Sequence, residues 1–328
     1  TITKLVETNS TINLKSVFQH GRRYAQDEEL CGAEQIYTAI RNSIQNIYLN
    51  KKFILIIDGL DDILDSSEFK AEIITGLIRA VEEINRVFRK TTLSIKTIIL
   101  ARDDILNLCR DPNLSKILRD SGIRLSWEIS DDPYDSNLIS LVEKRIDIAT
   151  QSQGAFRQMW KDIFPETIGT RNSLDYLLDN IIYRPRDILQ LFIEIQKVFI
   201  PGKRLTIDKI QTALAKYSDE YFVEAMRDEL TGFFPDDAVT LLPSVLSKMG
   251  SRYFYLAEFE DECNYYREFE DVSVRAILER LFNMGYIGQH RPRENMDYTV
   301  FSYRNPREVF RPDDECIVHR GLTRALTI

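Results

Sequence analysis

The amino-acid sequence predicts an α/β fold: a parallel-sheet core, then an all-helical region, then a winged-helix region. Three observations support this prediction. Two short apolar runs flank a long helical pattern, residues from Asn137 to about Leu230 show only helical spacing, and the last hundred residues pattern as helices followed by a β-hairpin. We therefore expect domains at residues 1–130, 131–232 and 233–328.

The parallel sheet is predicted from continuous apolar runs of strand length. Such β-branched-rich runs are typical of strands that are buried on both faces. A strand, a crossover helix and a second strand, repeated, indicate parallel pairing with right-handed connections. The predicted elements are strand Phe53–Ile57, helix Ser66–Lys90 with a buried stripe at Phe69, Ile73, Leu77, Val81, Ile84 and Phe88, strand Ile95–Ala101, helix Asn113–Asp120 and strand Ile123–Ile129.

The remainder is predicted from helical periodicity and one hairpin signal. The all-helical region has predicted helices at 137–152, 155–163, 172–181, 185–199 and 206–230. The winged-helix region has predicted helices at 236–249, 255–264 and 272–285, a hairpin formed by "YIGQH" and "DYTVFSY", and a final strand "ECIVHRGLTRAL".

Composition narrows the function classes. A net charge of −8 gives no overall basic field that would attract nucleic acid or anionic lipid. The four cysteines are far apart and form no CxxC pair, which argues against a zinc site or a disulfide framework and fits a reducing cytosol. No apolar run approaches 18 residues, so we expect a cytoplasmic protein without a membrane span.

Carboxylates follow the first predicted strand in "FILIIDGLDD". Ligands of open parallel sheets bind at the carboxyl ends of strands, and Asp58 lies at such an end. Alone, it would most often cap the next helix. The whole run has the form of a Walker B motif, in which Asp58 would hold Mg²⁺ and Asp62, or less favourably Asp61, would polarise the attacking water. Gly59, which has no side chain, would let the metal and phosphate approach the backbone at the turn after the strand.

Arginine residues stand at two further positions that this hypothesis needs. Arg102 follows the second strand and could reach a γ-phosphate, or it could pair with neighbouring aspartates at the surface. Arg184 and Arg186 flank Pro185, which suits the first position of a helix. Two cations at a helix N-terminus oppose the helix dipole, so a triphosphate or a nearby carboxylate such as Asp187 or Asp179 should compensate them.

The order of these parts resembles the STAND branch of P-loop ATPases, which includes the NACHT type and neighbours Orc/Cdc6-like AAA+ proteins. "DGLDD" is similar to the NACHT pattern "DGxDE", and "YRPRDIL" with the terminal "IVHRGLTRAL" resembles bacterial P-loop ATPases linked to phage defence. The resemblance implies ATP and Mg²⁺ as cofactors and a helical lid whose Arg-Pro-Arg element lies near adenine and phosphate. It also implies a switch that controls homo-oligomerisation or an effector protein. Arg119 could then reach a neighbouring subunit's nucleotide, or be a solvated surface residue.

One departure from that family is the lack of a G-x-x-x-x-G-K-[ST] loop, which cradles the phosphates. Because the chain begins with Thr1, we expect this segment upstream or disordered, with a degenerate, non-hydrolysing relative as the alternative. A non-catalytic scaffold and an Orc-like DNA-binding ATPase remain rival functions. Acidic residues outnumber basic ones over 236–304, which disfavours DNA contact through Arg275, Arg280, Arg291 or Arg293.

Overall fold

The computed structural model describes residues 51–60, 68–91, 94–109, 111–125, 127, 132–291, 298–305 and 307–328. The chain forms two units, Thr1–Arg124 and Leu125–Ile328. Within the described residues the fold is mixed α/β, mostly helical with small sheets, which confirms the α/β prediction at this level.

In the first unit, strands β1 (Phe53–Ile57) and β2 (Ile95–Ile99) pair in parallel. Helix α1 (Glu68–Phe88) connects them, as predicted. The second strand ends at Ile99, two residues before the predicted end at Ala101. Helices α2 (Asp103–Leu108) and α3 (Leu114–Ser121) follow, and α2 has no counterpart in the sequence-based prediction.

The prediction that β1 is buried on both faces is wrong for the described part of the chain. Ile54, Leu55 and Ile56 are 65%, 55% and 58% exposed. The buried stripe of α1 includes Val81 and Phe88 as predicted, but Ile74 and Ile78 are buried in preference to their predicted neighbours. The small core beneath the strands comprises Leu60, Ile74, Ile78, Ile105, Cys109 and Leu114.

The predicted third strand is also wrong where the structure describes it, because residues 122–125 and 127 are not in a strand. The edge of β2 that faces away from β1 is bonded by a side chain of α1. Leu100 donates its N–H to Ile57, so by alternation the N–H and C=O of Thr97 point away from β1. The side-chain amide of Asn85 on α1 bonds both groups, at 2.8 and 2.7 Å.

The helices predicted for the second unit are confirmed with small shifts in their bounds. The predicted single helix 206–230 is interrupted by a π-helical segment, Tyr217–Phe222. A two-residue antiparallel pair, β3 (Thr167–Ile168) with β4 (Arg171–Asn172), was not predicted. The helices are α4 (Asn137–Thr150), α5 (Ala155–Ile163), α6 (Ser173–Leu178), α7 (Pro185–Val198), α8 (Ile207–Lys216) and α9 (Val223–Leu230).

The C-terminal part contains the predicted three helices and hairpin. Its strands form one antiparallel sheet in the order β5-β8-β6-β7. The elements are α10 (Asp236–Lys248), β5 (Tyr253–Phe254), α11 (Leu256–Cys263), α12 (Val274–Met284), β6 (Ile287–Arg291), β7 (Tyr298–Val300), β8 (Glu315–Val318) and α13 (Arg320–Leu326).

The predicted final strand is correct only for its first four residues. After β8 the chain turns into α13, because His319 caps that helix by accepting the N–H of Gly321 at its Nδ1, 3.0 Å away. A β-carbon at Gly321 would lie 2.6 Å from the carbonyl oxygen of Asn180 and 2.7 Å from the ring of Phe222. Glycine therefore lets α13 pack directly on the helical region.

One hydrophobic core runs through the whole second unit. It includes Leu138 and Leu191 from the helical region and Phe282 and Val318 from the C-terminal part. The predicted boundary at residues 232 and 233 therefore lies inside a continuous core, between buried Leu230 and Ala238.

Candidate functional site

The strand-end carboxylate Asp58 is exposed in the structure. It directly follows β1, and its Oδ1 accepts the N–H of Gly59 at 2.8 Å. Gly59 has φ +78°, a conformation that glycine adopts without strain, and it turns the chain sharply so that the next residue, Leu60, is buried. The carboxylate is thus held at the carboxyl end of a parallel strand, and its second oxygen accepts no hydrogen bond from the residues that the structure describes.

Arg102 lies at the same edge of the sheet. Ile57 is opposite Ile99, so Arg102 is two residues beyond the position opposite Asp58. Its backbone has the extended conformation of an N-cap, and its carbonyl oxygen accepts the N–H of Leu106 in α2. The exposed side chain therefore starts from a fixed helix entrance beside the end of β1.

The remaining predicted site residues of the first unit are two aspartates that lie outside the described residues and one surface arginine. Asp61 and Asp62 lie outside the described residues, so the choice of the water-activating acid stays a prediction. Arg119 is 77% exposed and contacts Asp120 at 3.6 Å, an arrangement typical of a surface arginine. Asp103, a proposed alternative partner of Arg102, bonds Arg124 at 2.7 Å.

The Arg-Pro-Arg element begins a helix, as predicted. Pro185 occupies the first turn of α7 and Arg184 is the N-cap residue. The preceding Tyr183 has φ +43°, which is unusual for a residue other than glycine. This turn is held by Asp187, whose Oδ2 accepts the N–H of Ile182 at 3.1 Å.

Arg184 is compensated by a carboxylate that the sequence did not indicate. Its guanidinium bonds both oxygens of Glu229 on α9 and the carbonyl oxygen of Met284 on α12, the last at 3.1 Å. Although burial lowers the pKa of Arg184, the charge of Glu229 raises it above its usual value, so the side chain is a fixed cation. The hydroxyl of Tyr286 also donates to Glu229 at 3.2 Å. Arg184 thereby ties the helical region to the C-terminal part.

A second buried group lies beside this pair. Asp187 is 3% exposed and accepts the hydroxyl of Tyr221 at 2.9 Å. Burial raises the pKa of Asp187, and burial together with the charge of Asp187 raises the pKa of Tyr221. The hydroxyl of Tyr217, in the π-helical segment, is buried without a hydrogen-bond partner among the described residues. Asp187 thus joins the start of α7 to the π-helical segment through Ile182 and Tyr221.

Arg186, in contrast, is exposed and has no hydrogen bond or ion pair within the described part of the chain. It is one residue past the N-terminal proline, where the helix dipole disfavours a cation. Of the two arginines that flank Pro185, Arg184 is paired with Glu229, whereas the guanidinium of Arg186 is unpaired within the described residues. Whether it meets Asp58 in one nucleotide site stays a prediction.

The candidate DNA-contacting arginines of the C-terminal part are not equivalent. Arg291 is 4% exposed, and its guanidinium bonds Asp314, Glu308 and two neutral oxygens, so it is not available to a nucleic-acid phosphate. Arg280 stacks on Phe233 with 3.8 Å from its guanidinium carbon to the ring centre. Arg275 is exposed, and Arg293 lies outside the described residues.

A further arginine cluster was missed by the sequence analysis. Three arginines, Arg171, Arg304 and Arg320, contact the single carboxylate of Asp179. Arg324 lies one helical turn after Arg320 on α13 and bonds Asn180, Tyr176 and Gln211. Arg320 and Arg324 belong to the terminal string "IVHRGLTRAL", whose interpretation as a strand concealed their i, i+4 spacing on one helix face.

Two other features, a metal site built from side chains and a membrane-spanning helix, are absent from the part of the chain that the structure describes. No set of three His, Cys, Asp or Glu side chains there could hold a metal ion by itself. None of the helices in the described ranges is both long and apolar enough to cross a bilayer.

Two comparisons with known proteins give matches. A family described as the FunZ-associated C-terminal helical domain matches residues 136–225, which span α4 to the π-helical segment and α9's first residues. A protein of Escherichia coli (strain K12), named "Putative transposon gamma-delta 80.3 kDa protein", is 24% identical over 286 residues. No solved structure matches the chain.

The extent of the second match limits its meaning. It covers 82% of this chain but only 39% of the Escherichia coli protein. The chain is thus similar to a minor part of a much longer protein.

Proposed function

We propose that this chain is part of a nucleotide-controlled switch of the STAND type, with ATP and Mg²⁺ as its ligands. The observation that carries the proposal is the exposed carboxylate of Asp58 at the end of β1, beside the parallel strand that leads to Arg102. Mg²⁺ in nucleotide sites is commonly bound by one or two carboxylates together with substrate phosphates, so a single strand-end aspartate fits that donor set.

Each residue then has a distinct task. Asp58 holds the Mg²⁺ shell, and Asp62 or Asp61 orients water. Arg102 and Arg186 contact the γ-phosphate, whereas Arg184 acts through structure, by fixing the start of α7 against Glu229. ATP supplies the phosphates whose presence or loss the helical lid detects, and the C-terminal part serves as a winged helix that passes this change to a second copy or an effector.

The biological setting is proposed from two resemblances. The motif pattern favours bacterial defence against phages, and the 24% identical relative carries a transposon name. Both settings involve mobile genetic elements, which supports a switch that responds to such an element.

Nucleotide binding by the product of the whole open reading frame tests the proposal. Mg²⁺-dependent ATP binding should weaken by about tenfold or more in Asp58→Asn, since an uncharged amide is a poor ligand for this cation. Arg186→Gln should weaken ATP more than ADP. Asp120→Asn, another exposed carboxylate of the first unit, serves as the matched control and should bind as the wild type does. Equal Mg²⁺-dependent affinity in Asp58→Asn and the control would refute the assignment.

Hydrolysis tests the acid separately. Asp62→Asn should bind ATP with little change and hydrolyse it at least about a hundredfold more slowly, as expected when a general base is removed. If Asp61→Asn alone gives this result, the two aspartates exchange roles. Unchanged turnover in both variants contradicts the catalytic part of the proposal.

A non-hydrolysing scaffold is the second candidate function. It is favoured by the ion pair of Arg184 with Glu229, which locks the predicted lid to the C-terminal part in one core. Under this alternative, Asp58→Asn and Asp62→Asn leave partner binding and oligomerisation unchanged with or without ATP. A nucleotide-dependent change in oligomeric state, measured by light scattering, would reject it.

A further inference from the structure

A cavity of about 380 Å³ in the second unit has walls that carry three arginines. It is bounded by α6 with the residues that follow it, by the segment entering β5, and by α13. Its polar lining consists of Arg252, Arg320, Arg324, Tyr176, Asn180 and Thr323. None of the lining side chains is a carboxylate, so the wall offers hydrogen-bond donors with an excess of positive charge.

The surrounding carboxylates do not remove this excess. Asp179 is the acid to which Arg320 bonds, at 3.3 Å, and it also accepts bonds from Arg171 and Arg304. One negative charge is therefore divided among three guanidinium groups. Among the described residues, Arg252 and Arg324 bond only neutral oxygens, and Arg252 donates to the carbonyl of Val318 at 2.7 Å.

The buried imidazole next to this cavity responds to the same charges. His319 is 1% exposed, and burial, followed by the charges of Arg252, Arg304, Arg184 and Arg320, lowers its pKa to about 3. Burial and the charge of Arg320 also lower the pKa of Arg252. Cations that destabilise one another in this way are stabilised by an anion placed between them.

The donors are held in place before any ligand arrives. Arg324 is fixed by three neutral acceptors, namely the Oδ1 of Asn180 and the hydroxyl of Tyr176, both at 3.0 Å, and the side-chain oxygen of Gln211. Gly321 packs against the carbonyl of Asn180, which fixes α13 relative to α6. A preorganised fork of N–H donors suits the tetrahedral oxygens of phosphate.

We propose that this cavity binds the phosphate groups of a compact phosphorylated ligand, such as a nucleotide or pyrophosphate. A compact ligand is favoured over a nucleic-acid strand because the donors are confined to one recess in a chain of net charge −8. The proposal is independent of the site assigned to Asp58, Arg102 and Arg186.

Calorimetric titration of the full chain with pyrophosphate, at constant ionic strength and without Mg²⁺, tests the proposal. Omitting Mg²⁺ removes the contribution of a carboxylate–metal site. Arg320→Gln should bind pyrophosphate about tenfold or more weakly, since a hydrogen bond to a charged group carries at least that factor, and Arg252→Gln/Arg320→Gln should abolish binding. Arg145→Gln, which removes an exposed arginine of α4, is the matched control and should bind as the wild type does.

Four results would overturn the proposal. Two concern pyrophosphate itself: it fails to bind the wild type, or it binds equally to Arg320→Gln and Arg145→Gln. A single-stranded oligonucleotide that binds more tightly than pyrophosphate, with strong salt dependence, would assign the surface to nucleic acid. An acidic peptide that outcompetes pyrophosphate would assign it to a protein partner. Thermal melting of each variant without ligand separates loss of binding from loss of folding.

Discussion

Two arginine-containing regions of the second unit make opposite use of the same residue type. Around Arg291, two carboxylates, Asp314 and Glu308, surround one guanidinium that is 4% exposed. Around the α13 cavity, several guanidinium groups share Asp179, and Arg320 remains 41% exposed. The charge of Arg291 is neutralised by its two carboxylate partners, whereas the cluster around Asp179 keeps a net positive charge that faces a cavity.

The difference teaches that the number of arginines does not identify a binding surface. Arg291 looks like a DNA contact because it ends a hairpin strand, yet its charge is already neutralised. The cavity arginines look unremarkable in the sequence, yet they lack an equal number of acids. Local counter-charge decides which cation can accept a ligand.

The largest expected change in unfolding free energy comes from removing Arg291 from its two carboxylate partners. Arg291→Met leaves Asp314 and Glu308 without their shared partner, and removing one member of a buried ion pair costs about 3–5 kcal/mol of unfolding free energy. Urea unfolding followed by circular dichroism measures this loss. A change below about 1 kcal/mol would mean that Arg291 is not neutralised internally, and the comparison would fail.

The next effect is a dependence of stability on pH. His319 stays neutral in the folded chain down to about pH 3, whereas an unfolded histidine binds a proton below its ordinary pKa of about 6.5. The contribution of the neutral His319 to the free energy of unfolding is therefore complete above pH 6.5. It is lost as the pH falls from 6.5 towards 3, by about 1.4 kcal/mol per pH unit.

The variant His319→Asn isolates this contribution because asparagine can keep the cap to Gly321. The difference in unfolding free energy between wild type and variant, measured from pH 7 to pH 4.5, should shrink as pH falls. A constant difference would show that His319 binds its proton equally in the folded and unfolded chain, and it would contradict the lowering of its pKa by burial and the neighbouring arginines.

The smallest expected change in unfolding free energy comes from removing Arg320, one of the three arginines that share Asp179. Arg320→Gln should change the free energy of unfolding by less than about 0.5 kcal/mol, because Asp179 keeps two other arginines and repulsion with Arg252 is relieved. A loss of about 2 kcal/mol or more in urea unfolding would place Arg320 in a structural role like that of Arg291.

Helical periodicity predicted the second unit well. The helices from α4 to α12 were predicted within a few residues, with α8 and α9 predicted as one, because apolar residues recur at helical spacing. Side chains of Ser136, Thr206 and Ser273 cap three of these helices. The parallel pairing of β1 and β2 was also predicted. The predicted third strand is not found at residues 122–125 and 127. Asn85, a distant side chain, bonds Thr97 on the edge of β2 that faces away from β1, and no local pattern contains that contact.

Of the candidate site, the sequence predicted the exposed strand-end Asp58 and the helix start at Pro185. It did not indicate Glu229 as the partner of Arg184, nor the arginine-lined cavity. These contacts join residues separated by 45 to 148 positions along the chain.

The sequence by itself determined where most of the helices and the two paired strands lie, because periodicity and caps act over a few residues, but it did not predict α2 or the helical form of α13. Only the tertiary structure decided which arginines are neutralised and which face a cavity. That outcome depends on charges brought together by the packing of α6, α9, α12 and α13, and Coulomb energy is set by distance in space rather than by position in the chain.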